Sequence, residues 1–445
     1  MLDFLERTWA VIHLDRLDDN LEQIRRNLPT DTKIMGVVKA DGYGHGDKMI
    51  AGALRRNGVD FFAVSNLDEA ISLRNGGIDC DILILGFTPV CKAGTLLHYN
   101  ITQTVFSAEY AALLDAEVAA LNELECGAQS PGTNSDSASF RRAETCSATS
   151  CSAPPSSDSA SFRRAETCRA SSCSARRCAV HIKIDTGMGR LGFAESNQHS
   201  AAAEVAAVCA LPHLQVNGIF THLSSADMLD EASEDYTQLQ VERYQKVLRD
   251  LSGMGVSIPL HHLQNSAGIA FLPKMHFDYA RAGIVMYGVA PSGEKLPFPL
   301  KPVMELKTVV SMVKTVEAGS AISYGRTFVA DRPMKLATVP IGYADGYPRS
   351  LSNRAFMLIH GKRVRVVGNV CMDQLMLDVS DIDDVKMGDA VTVVGSDGGE
   401  TVSFDELAEL TGSIPYELMC LIGRRVPRVY MQGENMIEVV DYIRN

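Results

Sequence analysis

No stretch of this 445-residue chain is apolar for long enough to span a bilayer. Its first residues, Met1-Leu2-Asp3-Phe4-Leu5-Glu6-Arg7, hold two acids and no long apolar run, so no ordinary secretory signal is expected there. Positive charge is in deficit: 42 Lys and Arg face 54 Asp and Glu, a net charge of −12. That balance argues against nucleic acid or an anionic membrane as the main partner. A cytoplasmic location is the expectation, with the eleven cysteines kept as reduced thiols.

A more local absence lies between Cys126 and Cys178, where there is no Val, Ile, Leu, Met, Tyr or Trp. Within it, Ser135–Ala153 and Ser157–Ala175 repeat one another except at Ser147/Arg169 and Thr149/Ser171. With only Phe140 and Phe162 to bury, the segment cannot offset its ordering entropy, and residues 126–178 are expected as a disordered, duplicated surface insertion. Its cysteines fall in C-x₄-C pairs (Cys146/Cys151, Cys168/Cys173, Cys173/Cys178). The spacing is looser than a zinc knuckle and no histidine joins them, so no metal site is expected.

What is present is alternation. Apolar runs recur at 34–38, 61–64, 82–85, 102–106, 180–184, 216–220 and 260–263, with amphipathic stretches between most of them. Residues 16–28 put Leu17, Leu21, Ile24 and Leu28 on one helical face, and 236–251 do the same with Leu239, Tyr244 and Leu248. Strands alternating with helices imply parallel βα units, and their number points to a closed barrel rather than an open sheet. After about Leu300 the texture becomes short β-rich runs at 303–316, 335–341, 356–360, 364–367, 374–379 and 390–394, with two helices near 405–410 and 416–422. The fold class expected is α/β: an N-terminal barrel over 1–300 and a mostly-β domain over 301–445, to which residues 1–12 are expected to add a strand.

The strand ends carry the chemistry. The run 34–38 ends in Lys39, followed at once by Ala40-Asp41-Gly42-Tyr43-Gly44-His45-Gly46. A strand that delivers a lysine beside a glycine-rich turn can desolvate it and make it a better amine nucleophile; a surface lysine beside a turn is the alternative. Lys183 and Arg190 flank the end of 180–184, His222 follows 216–220, and Gln264-Asn265-Ser266 follow 260–263. Reactive side chains at the C-terminal ends of several barrel strands share one rim. His222 can also be read as a satisfied core histidine, and Arg190 as a solvated loop residue.

The decapeptide Val37-Val38-Lys39-Ala40-Asp41-Gly42-Tyr43-Gly44-His45-Gly46 resembles the pyridoxal phosphate (PLP) lysine signature of alanine racemases. Lys183–Arg190, Gln264-Asn265-Ser266, Arg281-Ala282-Gly283-Ile284, Ser323-Tyr324-Gly325, Cys371-Met372-Asp373-Gln374 and Val426-Pro427-Arg428-Val429-Tyr430 resemble further segments of that family, in its order. The resemblance implies a (β/α)₈ barrel with a C-terminal β domain, and racemisation of alanine to supply D-alanine for peptidoglycan. It implies PLP on Lys39, which then serves as one base, with Tyr324 as the second base helped by His222 and Arg281. Arg281 would face the pyridine nitrogen. Tyr43, Ser266, Gly283, Ile284 and Tyr430 would hold the phosphate, while Arg190 and the Met372 amide would hold the substrate carboxylate. Lys183 resembles a lysine carbamylated in many members. Tyr324, Met372 and Asp373 would come from a second subunit, making a homodimer with shared sites. Racemisation of serine or a broader amino-acid set, a non-catalytic PLP-binding protein and a decarboxylase of the same fold type are the rival readings. No role emerges for His45.

Overall fold

The computed structural model describes residues 6–127, 175–291 and 296–444. Eight parallel strands, Lys33–Val37, Phe61–Val64, Asp81–Ile84, Thr102–Val105, Cys178–Asp185, Leu214–Phe220, Leu260–His262 and Tyr279–Ala282, pair in that order. The last pairs with the first, Tyr279 opposite Lys33 and Ala282 opposite Gly36, so the sheet closes into a barrel. Seven of these strands follow the apolar runs of the sequence. The eighth, Tyr-Ala-Arg-Ala, has no apolar run: Arg281 sits in its middle, and closure rather than hydrophobicity makes it a strand.

Helices cover the barrel as their patterns require. Leu14–Asn27 buries Leu17, Leu21 and Ile24 completely, and Leu28 just beyond it is buried too. Each such side chain contributes about 1.5–3 kcal/mol by leaving water. The helix Glu231–Gly253 departs from expectation. Its buried face is Thr237, Gln240, Val241, Tyr244, Val247 and Leu251, while Leu239 and Leu248 are only half-buried. Gln240 explains the rotation: its amide donates to the His222 carbonyl (3.2 Å) and its Oε1 accepts from the Ser224 amide (2.9 Å), so the polar residue is the one drawn inward.

The second sheet has eleven strands and is largely antiparallel. Val303–Val316 is not one run but two strands, Met304–Val309 and Met312–Val316. Thr8–His13 joins this sheet, antiparallel to Met304–Val309 and parallel to Arg428–Gln432. The helices Phe404–Thr411 and Pro415–Leu421 interrupt the sheet's connections. Most of the repeat-bearing insertion lies outside the described residues. At its borders, the helix Ala108–Gly127 runs past Cys126 and the fifth barrel strand starts at Cys178 itself. The Asn122 amide donates to the Arg176 carbonyl (3.0 Å) and its oxygen accepts from the Arg176 N–H (3.1 Å), so the two borders meet. Among the described residues, no helix is long and apolar enough to cross a membrane, and no group of three or more His, Cys, Asp or Glu could hold a metal ion.

Candidate active site

The first barrel strand delivers Lys39 to the rim, and the residues after it are left-handed. Ala40, Asp41, Gly42 and Tyr43 have φ of 53°, 54°, 59° and 54°, and Gly44 follows at 80°. Each non-glycine residue there costs about 1–2 kcal/mol. The turn still closes its own hydrogen bonds, Gly42 N–H to Val38 O (2.9 Å) and Gly44 N–H to Ala40 O (3.0 Å). Glu69 accepts from the Ala40 N–H (2.8 Å) and from the Ser65 N–H (2.7 Å), tying the turn to the next βα loop. Burial, then the nearby Arg190 charge, lowers the Lys39 pKa, against smaller opposing effects of Glu69 and Cys420. The expected turn is therefore present, but as a left-handed one that three glycines alone did not announce.

Arg281, on the eighth strand, is buried and organises three histidines. Its Nη1 donates to His262 Nδ1 (2.9 Å), and its Nη2 lies 3.2 Å from His222 Nδ1. Both Nη atoms also donate to carbonyls, those of His262, Thr221 and Leu263. Guanidinium can only donate, so both imidazoles accept at Nδ1 and carry their hydrogen on Nε2. His262 in turn lies 2.9 Å from His181 Nδ1 through that Nε2. Burial and then the Arg281 charge push His222 and His262 well below the ordinary histidine range, so both are neutral. Burial alone brings Arg281 down to about 10, which leaves it charged at neutral pH. These contacts use Nη1 and Nη2 and leave Nε.

Lys39, Tyr43, His222, Ser266, Arg281 and Gly283 all line one cleft of about 540 Å³. At its floor the Ser266 hydroxyl accepts from the Gly283 N–H (3.1 Å) and lies 3.5 Å from the Val285 amide, bracketing the Ile284 amide. A side chain on Gly283 would put its Cβ 2.9 Å from the Tyr43 hydroxyl and 3.3 Å from Ser266 Oγ. This is a cradle of hydroxyls and backbone amides with no room for a Cβ, which suits a phosphate. A lysine with a lowered pKa, a guanidinium with an N–H left to offer and a cradle of hydroxyls and amides are a donor set into which PLP would fit.

Lys183, on the fifth strand, is buried and donates to the Leu191 carbonyl (3.0 Å). Burial first, then Arg281 and Arg190, lowers it to about 8, with Asp185 opposing. Arg190 is exposed. It does not line the cleft, but its charge is close enough to lower Lys39, Lys183 and His222.

Four expected residues stand elsewhere. Tyr324 is 71 % exposed and Met372 52 % exposed, on the second domain. Their segments meet: the Asn369 amide donates to the Tyr324 carbonyl (2.6 Å), and Ser323 Oγ lies 3.4 Å from Cys371 Sγ. Asp373 pairs with Arg425 at 2.8 Å. Tyr430 needs correcting. Its hydroxyl donates to the His45 carbonyl (2.9 Å), on the far side of the Lys39 turn, and it does not line the cleft. Its parallel strand pairing beside Thr8–His13 fixes it there, so a phosphate contact is not what its geometry supports.

Sequence reasoning missed Glu69, and it missed Tyr416 and Cys420 on the helix Pro415–Leu421, which lines the same cleft. Tyr416 stands 6.2 Å from Tyr43, ring centre to ring centre. A helix pattern alone names none of these: Glu69 is brought in by the neighbouring barrel loop, and Tyr416 and Cys420 only by the docking of the second domain on the barrel.

Two family descriptions match this chain: "Alanine racemase, N-terminal domain" over residues 12–126 and 160–291, and "Alanine racemase, C-terminal domain" over 303–430. A protein named alanine racemase from Clostridium tetani is 39 % identical over 446 residues, covering 100 % of both chains. A solved structure of alanine racemase from Clostridium difficile 630 superposes with a TM-score of 0.82 at 33 % identity, covering 98 % of this chain and 99 % of that one. A histidine racemase from Leuconostoc mesenteroides subsp. sake NBRC 102480 superposes at 0.76 with 25 % identity, covering 96 % and 98 %. With the cleft's lysine, guanidinium and hydroxyl cradle in the positions described, and relatives matched end to end, the chain belongs to the alanine racemase family.

Proposed function

We propose that this protein interconverts L- and D-alanine with PLP held at Lys39, as a cytoplasmic homodimer supplying D-alanine for peptidoglycan. The observation that carries the reading is the convergence of Lys39, Arg281, His222, Ser266 and Gly283 on one cleft. When bound, PLP supplies the electron sink that makes the substrate's Cα–H acidic enough to lose.

The chain's residues do the rest. Lys39 binds the cofactor and then moves a proton at Cα on one face; its lowered pKa favours the neutral amine that both tasks need. Arg281, which stays charged and whose Nε is left by its protein contacts, would face the cofactor's ring nitrogen and favour its unprotonated form, a weaker electron sink that suits return of the proton to Cα. Tyr43, Ser266 and the Gly283 and Ile284 amides hold the phosphate. Arg190, helped by the Met372 amide of a second subunit, binds the carboxylate. A neutral lysine is the form that carbon dioxide carbamylates, and the low pKa of Lys183 supports that modification, which would give Arg190 an anion to align on.

Tyr324 of the second subunit is the base on the opposite face. An ordinary tyrosine titrates near 10, too high for the task. His222 answers that: with Nδ1 taken by Arg281, its Nε2–H is free to donate to the phenolate and favour it. The exposure of Tyr324 and Met372 in a single chain supports a homodimer that shares its sites.

The test is racemisation of L- and D-alanine with added PLP, with serine and histidine as competing substrates. Alanine turnover well above the others is expected. Faster turnover of serine or histidine would overturn the alanine assignment, and no turnover of any would leave a PLP-binding protein without this catalysis.

A further inference from the structure

Nothing in the cleft explains what holds the Lys39 turn in its unfavourable conformation; the reverse side of the turn does. Four consecutive carbonyls, those of residues 42 to 45, each accept from a side chain. His45 Nδ1 lies 3.1 Å from Gly42 O and 2.9 Å from Tyr43 O. Arg428 Nε donates to Gly44 O (3.0 Å), and the Tyr430 hydroxyl donates to His45 O (2.9 Å). Arg428 and Tyr430 sit on one strand of the second domain, Arg428–Gln432.

His45 is the centre of this arrangement. It is wholly buried, and burial pushes it down to about 3, so the ring is neutral. Both partners of Nδ1 are carbonyls, so Nδ1 must carry the hydrogen. Nε2 has no partner among the described residues. The ring lies 4.5 Å from that of Tyr287, tilted by 36°; Tyr287 lies 5.0 Å from the Tyr43 ring and donates to the Val37 carbonyl (3.2 Å). The fit leaves no slack: a Cβ on Gly44 would lie 2.3 Å from Met419 O, and one on Gly46 would lie 1.9 Å from the Tyr430 hydroxyl.

We propose that His45, Arg428 and Tyr430 are positioning residues for Lys39. They hold the left-handed turn, fix the lysine's backbone against Tyr43 and Ser266, and make the second domain part of the device that captures the cofactor. The proposal rests on the reading that Lys39 carries PLP, and its first test does not depend on that reading.

That test is amide hydrogen exchange of the full-length, cofactor-free chain. His45→Leu should speed exchange in residues 39–46 at least about tenfold, because the one buried donor shared by two carbonyls is lost, while Phe61–Val64 and Asp81–Ile84 keep their protection. His45→Asn, which keeps a donor near the Nδ1 position, should restore most of it. Tyr430→Phe, which removes one hydroxyl and little volume, should give a smaller acceleration of about threefold in the same residues. PLP capture, followed by the absorbance of the lysine-bound cofactor, should weaken in the same order. Unchanged exchange in 39–46, an acceleration spread evenly over the barrel, or an asparagine variant no better than leucine would each overturn the clamp. Should exchange follow the expected order while the native chain fails to capture PLP, the clamp stands and the cofactor assignment falls.

Discussion

The barrel rim and the outer face of the second domain carry the two halves of the expected machinery, and they are built in opposite ways. At the rim, Arg281 and Lys183 are buried and held by carbonyls; burial lowers the pKa of both, and the Arg281 charge lowers Lys183 further. On the second domain, Tyr324 and Met372 stand out to solvent, fixed through their backbones to neighbouring loops. A buried charged network is expensive unless complete, so the rim must be finished within one chain. An exposed tyrosine costs nothing while it waits, so it can be supplied across an interface. On the proposed reading, the contrast means that a single chain would hold the whole cofactor site and only half of a two-base site.

The sharpest way to break that contrast is to disable each half separately. Lys39→Ala should remove the absorbance of the lysine-bound cofactor and lower turnover by at least about 10³-fold. Tyr324→Phe should leave that absorbance in place and lower turnover by about 10²-fold or more, chiefly in the direction that needs the tyrosine as base. Two inactive variants mixed and reassembled should then regain about a quarter of native activity, since half the dimers would hold one intact site of two. No recovery on mixing, measured after reversible dissociation, would mean that both bases come from one chain.

Arg281→Lys tests how much of the rim is geometry rather than charge. Lysine keeps the charge but cannot reach His222, His262 and three carbonyls together. Turnover should fall by roughly 10–10²-fold and the melting temperature should drop, whereas a change confined to the KM for alanine would show that Arg281 acts on substrate binding alone.

A smaller effect concerns Lys183. Its folded pKa is about 8, below the ordinary lysine value, so the charged form is disfavoured in the folded state. Between about 8 and the unfolded value near 10.4 the unfolded chain binds more protons, and stability rises with pH across that window. Below it the cost is constant. Lys183→Met should therefore be the more stable chain at pH 7 in buffer free of carbon dioxide, with the difference in melting temperature shrinking from pH 8 to 10. A difference independent of pH would place the effect in packing.

The smallest effect is expected from removing residues 128–174 and joining the borders. Asn122 and Arg176 already meet, and loop length costs little once its ends are held. Turnover should stay within about twofold of native; a larger loss would tie the insertion to the strand carrying Lys183.

Much of this was legible in the sequence because it depends on period and on residue type. Seven strands announced themselves as apolar runs, and Leu17, Leu21 and Ile24 marked a buried helical face by their spacing. The eighth strand did not, because Arg281 interrupts it, and neither did the inward face of Glu231–Gly253, which follows the hydrogen bonds of Gln240. In the site, Lys39, His222 and Ser266 were readable as a set because each follows an apolar run, and strand ends share a rim; Arg281 and Gly283 were reached only through the family resemblance. Tyr430 was misassigned because its motif gives the residue but not the side of the turn on which it lands.

The sequence by itself determined the alternation of strand and helix, the lysine at a strand end, the change of texture near residue 300 and the apolar poverty of 126–178, since all of these follow from local composition and spacing. Only the tertiary structure decided that the barrel closes, that Arg281 sets the tautomers of His222 and His262, and that His45 turns inward to hold the Lys39 turn beside Arg428 and Tyr430. The physical reason is range. Hydrophobic period is a property of neighbours in sequence. A hydrogen bond between residues 45 and 430 exists only after two domains have docked, and no local pattern encodes which carbonyl will be waiting there.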